Sequence, residues 1–320
     1  MRHPIKASST GKKSAAVHRD GPAAPQWPSY NGTSQFVGTS PNGQVTVYVD
    51  PTLGGPALQN AQDLVNDADR VAAANDAIFG TPGGPVSVIV FALGGATDGT
   101  GGADHMGCDY VSGAAIEVCA SFGNSARVSA LLEAELSECS MGGNLCGVST
   151  GEALSRWCAT VIGNNALADF ATAPQWAQDG MADYVDRSAP TDQDADSTGC
   201  GMAFLSWMMS QGYGLDKIAP AMVSLGDAGT LAQLYANLTS DAETKAWPNF
   251  QAAIQNLQNG VTNDDPFSGA PKQIAAVKKL RRTATSVQAD RVTAPGAKGS
   301  KVTVCSPKSR RLLPPKRKTA

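Results

Sequence analysis

The apolar periodicity of this chain changes character once, near residue 125, and that change limits the folds open to it. Before it, short runs alternate or are almost wholly apolar, as strands do; after it, apolar residues recur every three to four positions, as in helices. "GQVTVYVDP" (Gly43–Pro51) places Val45, Val47 and Val49 at period two, and Pro51 with Gly54 and Gly55 ends the run. "PALQNAQDLVNDADRVAAANDAIFG" then sets Leu58, Ala61, Leu64, Ala68, Val71 and Ile78 on one helical face and closes at Gly80. "PVSVIVFAL" (Pro85–Leu93) is nearly all apolar and rich in β-branched residues, which suits a central strand. "AAIEVCASF" (Ala114–Phe122) reads as a third strand. From Arg127 onward the pattern predicts helices over 126–140, 150–163, 174–187, 199–211, 215–224, 229–238 and 241–257. "STGE" (Ser149–Glu152) reads as a capping box opening the second of these. The order β-α-β-β followed by helices alone predicts an α+β protein, a small mixed sheet backing a helical lobe.

Charge divides the chain further. The formal net charge of −3 hides basic ends around an acidic body. Residues 1–28 carry five basic groups (Arg2, Lys6, Lys12, Lys13, Arg19) against Asp20, and residues 271–320 carry fourteen against Asp290. Residues 29–270 then hold 6 Lys/Arg and 26 Asp/Glu. Such a body repels nucleic acid and anionic membrane. An anionic partner would therefore have to be met by the ends, and specific nucleic-acid binding is not predicted. Residues 1–28 and 269–320 lack apolar periodicity and are expected to be disordered basic tails around a domain at 29–268, or to fold back on the acidic body. "KQIAAVKKLRR" (Lys272–Arg282) is a candidate basic amphipathic helix.

No run of about 18 apolar residues occurs, so no membrane-spanning helix is expected. The signals for compartment oppose each other. The first 22 residues lack the apolar stretch of a secretory signal. Six cysteines in the acidic body (Cys108, Cys119, Cys139, Cys146, Cys158, Cys200) form the even set favoured by an oxidising, extracytoplasmic compartment. They allow about fifteen disulfide pairings, and six buried thiols are the alternative.

The chemistry centres on "LLEAELSECSMGGNLC" (Leu131–Cys146). At about 100° per residue, Val128, Leu132 and Cys139 share one arc, with Leu131 and Leu136 on its flanks. Glu135 falls inside that stripe, Glu138 at its edge, and Glu133 toward solvent. A carboxylate in an apolar stripe must be paired, hydrogen-bonded or protonated. Those states recur at catalytic sites, although a cleft-edge position reaching water also explains it. Asp192, Asp194 and Asp196 in "DQDADSTG" alternate like the oxygens of a calcium loop, but the glycine position and Ala203 do not fit an EF-hand. The plainer reading is a loop whose Ser197 or Thr198 caps the next helix. "GGADHMGCDY" carries His105, the single histidine of the body, and Cys108. With Cys119 these could begin a metal site that lacks a fourth ligand, or they could simply sit in a loop at the sheet edge. A nucleophilic triad on His105 would lack the G-x-S-x-G elbow.

"AELSE" (Ala134–Glu138) resembles the HExxH helix of zinc metallopeptidases, in which two histidines bind zinc and the glutamate activates water. "WAQDGMADY" (Trp176–Tyr184) resembles the W-x-x-E-G-x-A-x-Y helix of gluzincins, the zincin subgroup with a glutamate as third ligand. Trp176, Gly180, Ala182 and Tyr184 match, and Asp179 stands where that ligand stands. The resemblance spans Val45 to Val185. The chain is also similar to uncharacterised microbial proteins with an A-E-L-S-E helix and a later S-T-G-C helix start, as at Ser197–Cys200. The resemblance implies a zincin-like fold and a cleft bordered by the edge strand before the Glu135 helix. It puts Glu135 in the role of general base, Asp179 beside Glu138 across the cleft, and His105 overhanging Glu135.

Ala134 and Glu138 replace both histidines, so zinc and peptidase activity are not expected. No cofactor is expected. A metal held by Glu138 and Asp179 would be a hard ion such as Ca²⁺ or Mn²⁺. The expected function is a non-peptidase pseudoenzyme binding a ligand or peptide in a remnant cleft. The alternatives are a hydrolase pairing Glu135 with Glu138 or Asp179, a Ca/Mn-dependent metallohydrolase, or an interaction protein acting through its tails.

Overall fold

The structure, a computed structural model, describes residues 21–270 apart from Gly99 and Gly113; the expectations for residues 1–20 and 271–320, including the helix at Lys272–Arg282, lie outside the described residues. Five strands form one mixed sheet: β1 (Gln35–Thr39), β2 (Val45–Val49), β3 (Val86–Phe91), β4 (Ala103–His105) and β5 (Ala115–Cys119), in the spatial order β1-β2-β3-β5-β4. The central three are parallel, with Val47 opposite Val88 and Val90 opposite Val118. β1 and β4 close the edges antiparallel. Parallel neighbours need a crossover, and α1 (Gly54–Phe79) supplies it between β2 and β3.

Period two decides which residues meet the helices. Val45, Val47 and Val49, Val86, Val88 and Val90, and Ile116 and Val118 pack against Leu64 and Val71 of α1 and Leu132 of α2 (Ser125–Ser140). The intervening Tyr48, Ile89, Phe91 and Ala115 face the other way and are covered by Trp27, with Tyr30 and Phe36 beside it. Both faces of β3 are therefore dry, which accounts for the unbroken apolar run there.

The cover on that second face corrects the expected tail boundary at residue 28. Trp27 is 6% exposed and meets Tyr48 edge-on at 5.4 Å. The Tyr48 hydroxyl donates to the Pro22 carbonyl at 3.0 Å. Beneath the segment, the buried Glu117 carboxylate accepts from Ser29 N (2.9 Å), Ser29 Oγ (2.6 Å) and Tyr30 N (2.7 Å). The body thus reaches back at least to Pro22, because an apolar sheet face has to be covered.

The seven helices predicted after residue 125 are all present: α2, α3 (Ser149–Ile162), α4 (Ala173–Gln178), α5 (Ala195–Ser210), α6 (Leu215–Leu225), α7 (Leu231–Thr239) and α8 (Ala246–Gln255). Their core gathers around α5, where Phe204 and Trp207 pack on Phe250. The departures have local causes. α4 ends far short of residue 187 because Gly180 (φ +101°) and Met181 (φ +54°) reverse the chain. The Trp176 indole then donates to the Ala182 carbonyl at 2.9 Å, pinning the reversal. The capping box at Ser149 does not form. Val148 occupies the N-cap, and Ser149 Oγ accepts from Ala189 N at 2.9 Å instead. α5 is capped not by Ser197 or Thr198 but by Asp194, which accepts from Asp196 N and Ser197 N.

Glu133, expected in solvent, is fully buried. α2 packs against α1 and α3 as well as the sheet, so that side of the helix is covered too, whereas a projection from sequence assumes one dry face. Ser137 Oγ donates to Glu133 Oε1 at 3.2 Å, and burial pushes the Glu133 carboxyl well above the usual carboxylate range. The cysteines combine both expectations. Cys108 and Cys146 form a disulfide with Cα atoms 5.9 Å apart, while Cys119, Cys139, Cys158 and Cys200 are buried thiols. Among the described residues, no helix is long and apolar enough to cross a membrane.

Candidate functional site

The site forms where the edge strand β4 passes over the helix α2. α2 is started by the Asn124 side chain, which accepts from Arg127 N at 3.2 Å. It is held at that end by Arg127, a buried cation paired with Asp169 Oδ2 at 2.9 Å. From there the helix carries Glu135 and Glu138 to a cavity of about 610 Å³, which is also lined by Glu152 and Ser155 of α3. His105, the last residue of β4, pairs in register with Ile116 of β5 and enters the same cavity.

His105 joins the two glutamates. Its Nε2 lies 2.8 Å from Glu138 Oε2 and 3.9 Å from Glu135 Oε2. Its Nδ1 is bonded to the Gly107 carbonyl. A carbonyl can only accept, so Nδ1 carries a proton and Nε2 is left to deal with the carboxylates. Burial opposes charge on this ring, but the hydrogen bond and charge of Glu138 outweigh it, with the Gly107 carbonyl and Asp104 adding to them. The pKa consequently lies above the ordinary imidazole value. Ser155 Oγ donates to the other Glu138 oxygen at 3.1 Å.

Glu135 has no such support. It is 7% exposed, and among the described residues the cation within ion-pair distance of it is His105, at 3.9 Å. Burial first, then the charges of Glu138, Glu152 and Asp104, hold its carboxyl well above the usual range. Glu152 is pushed up to about 7, by burial first and by Glu138 next, against the opposing pull of Arg156. Arg156 Nη1 lies 3.6 Å from Glu152 Oε1. The cavity wall therefore carries Asp104, Glu135, Glu138, Glu152 and Asp192 against His105 and Arg156.

Of the residues singled out in the sequence, Glu135, Glu138 and His105 come together here. Asp179 does not line this cavity; it is exposed at the end of α4, where Gln175 donates to it. The three aspartates of the calcium-like loop separate: Asp192 lines the cavity, Asp194 caps α5, and Asp196 interacts with Asp179. Cys108 is committed to Cys146, so it offers His105 no thiolate. Cys119 Sγ donates to backbone carbonyls, including Ala96 O at 3.2 Å.

Glu152 is the site residue missed in the sequence, where it was assigned to a cap. The available signal was its company: Glu152, Ser155 and Arg156 make a polar strip along a largely buried helix. Fold and site together define an α+β protein with a five-stranded mixed sheet, a helical lobe, and a histidine–carboxylate cluster under one sheet edge. A scan against protein-family models and a search of curated proteins each return no match.

Proposed function

We propose that the chain is a zincin-like hydrolase that is not a zinc peptidase. The observation that carries this reading is the meeting of His105 from β4 with Glu138 and Glu135 from α2, at 2.8 and 3.9 Å, inside a cavity large enough for a substrate group. The cavity lies between the edge strand and the Glu135 helix, where the zincin resemblance puts the cleft. Ala134 and Glu138 stand at the histidine positions of that motif, and the one imidazole comes from the strand instead.

In this reading the His105–Glu135–Glu138 cluster activates water, and Glu152, facing Glu138 from α3, carries the proton to the leaving group. The acidic wall selects cationic or neutral substrates and repels phosphate esters. Arg156 keeps Glu152 in place. Ser155 holds one Glu138 oxygen, leaving the other for the histidine.

The test is hydrolysis of a panel of fluorogenic peptide, ester and glycoside substrates. Glu135→Gln and Glu152→Gln should each lower turnover about a hundredfold, the usual contribution of a positioned proton-transfer group, while the melting temperature stays near that of the parent. A parent protein that hydrolyses none of the panel, yet still retains ligands in the cleft, would leave only a binding role. Full turnover in both variants would remove these residues from the chemistry.

A further inference from the structure

We propose that His105 Nε2, Glu135 and Glu138 form a binding site for a divalent cation of the manganese(II) kind. This deepens the hydrolase reading by naming its cofactor; it rests on that reading for the use of the ion, not for its binding.

Three observations point to an ion. The first is the histidine. Its Nδ1–H is engaged by the Gly107 carbonyl, so the neutral ring turns the Nε2 lone pair into the cavity. That outer hydrogen bond is what fixes tautomer and orientation in metal-bound imidazoles. The second is spacing. The ligand atoms of His105, Glu135 and Glu138 all lie within 4.8 Å of one another, and among the described residues no other group of three or more His, Cys, Asp or Glu does so. A cation with bonds of about 2.1 Å sets neighbouring ligands about 3 Å apart and opposite ones about 4 Å apart. The nitrogen-to-oxygen separations here are 2.8 and 3.9 Å.

The third is Glu135, whose side chain is more than nine-tenths buried, lines the cavity and has no hydrogen bond to any described residue, its cationic neighbour being His105 Nε2 at 3.9 Å. A buried carboxylate requires compensation, and an ion shared with Glu138 provides it. The same ion offsets the excess of acids on the wall, where Asp104 and Glu152 stand near the cluster.

The donor set selects the ion. One imidazole with carboxylates is harder than the nitrogen- and sulfur-rich sets of zinc, while the nitrogen disfavours Ca²⁺ and Mg²⁺, which prefer oxygen alone. Three protein ligands leave open positions on a six-coordinate ion for water and substrate.

The experiment is an electron paramagnetic resonance titration of the chelator-treated full chain with Mn²⁺, reading loss of the free-ion signal. One ion per chain is expected, not displaced by excess Ca²⁺. His105→Gln and Glu138→Gln should each weaken binding by on the order of a hundredfold, and Asp179→Asn, outside the cavity, should leave it unchanged. Each variant is first checked by thermal melting, and Glu135→Asp provides a milder second replacement at the cluster. A parent chain that binds no Mn²⁺ overturns the proposal, as does binding that survives in folded His105 and Glu138 variants. Stoichiometric Mn²⁺ with no turnover would count against the hydrolase reading alone. Full turnover in chelator would overturn the ion's role as the cofactor of the hydrolysis.

Discussion

Replacing Cys108 and Cys146 together by serine is expected to lower the unfolding free energy by about 4 kcal/mol. The two residues are 38 positions apart, and closing a loop of that length restricts the unfolded chain by about that amount at room temperature. The corresponding fall in melting temperature is about 8–16 °C for a domain of this size. The parent protein should fall by the same amount when scanned in reductant, and the variant should not respond to reductant at all. Equal melting temperatures for the oxidised parent and the variant would show that the link is absent or contributes nothing. The effect should not stop at stability. Cys108 follows Gly107, whose carbonyl orients His105, and the Cys108 carbonyl accepts from Gly143 N at 2.7 Å in the loop after α2. The disulfide therefore fastens the strand end that carries the histidine to the helix end that carries Glu138. Loss of the link should loosen the site before the sheet melts.

Glu117→Ala is expected to cost about 3 kcal/mol. The buried carboxylate accepts three hydrogen bonds from Ser29 and Tyr30, and bonds to a charged acceptor contribute about 1.5–3 kcal/mol each when intact. The full sum is not lost, because the segment can lift and let water satisfy its N–H groups. What is then given up is the apolar cover of Trp27 on Tyr48 and of Tyr30 on Phe91. Glu117→Gln should cost less than the alanine, since its amide oxygen can keep both backbone N–H bonds and its nitrogen can donate to Ser29 Oγ, a hydroxyl that accepts as well as donates. Urea unfolding gives the free energy, and hydrogen exchange across residues 21–34 reports whether the segment has lifted. Unchanged stability together with unchanged protection would mean that Glu117 does not hold this cover.

Some of the fold was legible because it depends on patterns that a chain carries locally. The valines at period two in β2 and the unbroken run in β3 gave strands, and the three-to-four spacing from Leu58 to Ile78 gave α1, closed at Gly80. β1 and β4 left little trace. β4 is three residues long in a glycine-rich stretch, and β1 carries a register shift between Phe36 and Gly38, so neither shows sustained alternation. The error at α4 has another cause: periodicity continued past Asp179, while two positive φ angles at Gly180 and Met181 ended the helix.

The candidate site was legible in part for the same reason. Glu135 declared itself as a carboxylate in an apolar stripe, a property of one helix. Glu133 did not, because its burial depends on α1 and α3 closing over the far side of α2. His105 was a lone imidazole in a loop until the edge strand carried it over the glutamates. Glu152 looked like the closing residue of a capping box, but α3 begins one residue early, with Val148 at the N-cap.

The sequence by itself determined the two-part architecture, the strand-forming runs of β2, β3 and β5 and the glutamate helix, because hydrophobic period and chain-breaking residues act over a few residues and need no distant partner. Only the tertiary structure decided which acids share a cavity, which cysteines pair, and what covers the second face of the sheet. Each of these is a contact between segments far apart in the chain, set by packing rather than by local preference. Asp179 and Glu152 make the point: both are acids on helices near Glu138 in sequence order, and packing brought only Glu152 to the cavity.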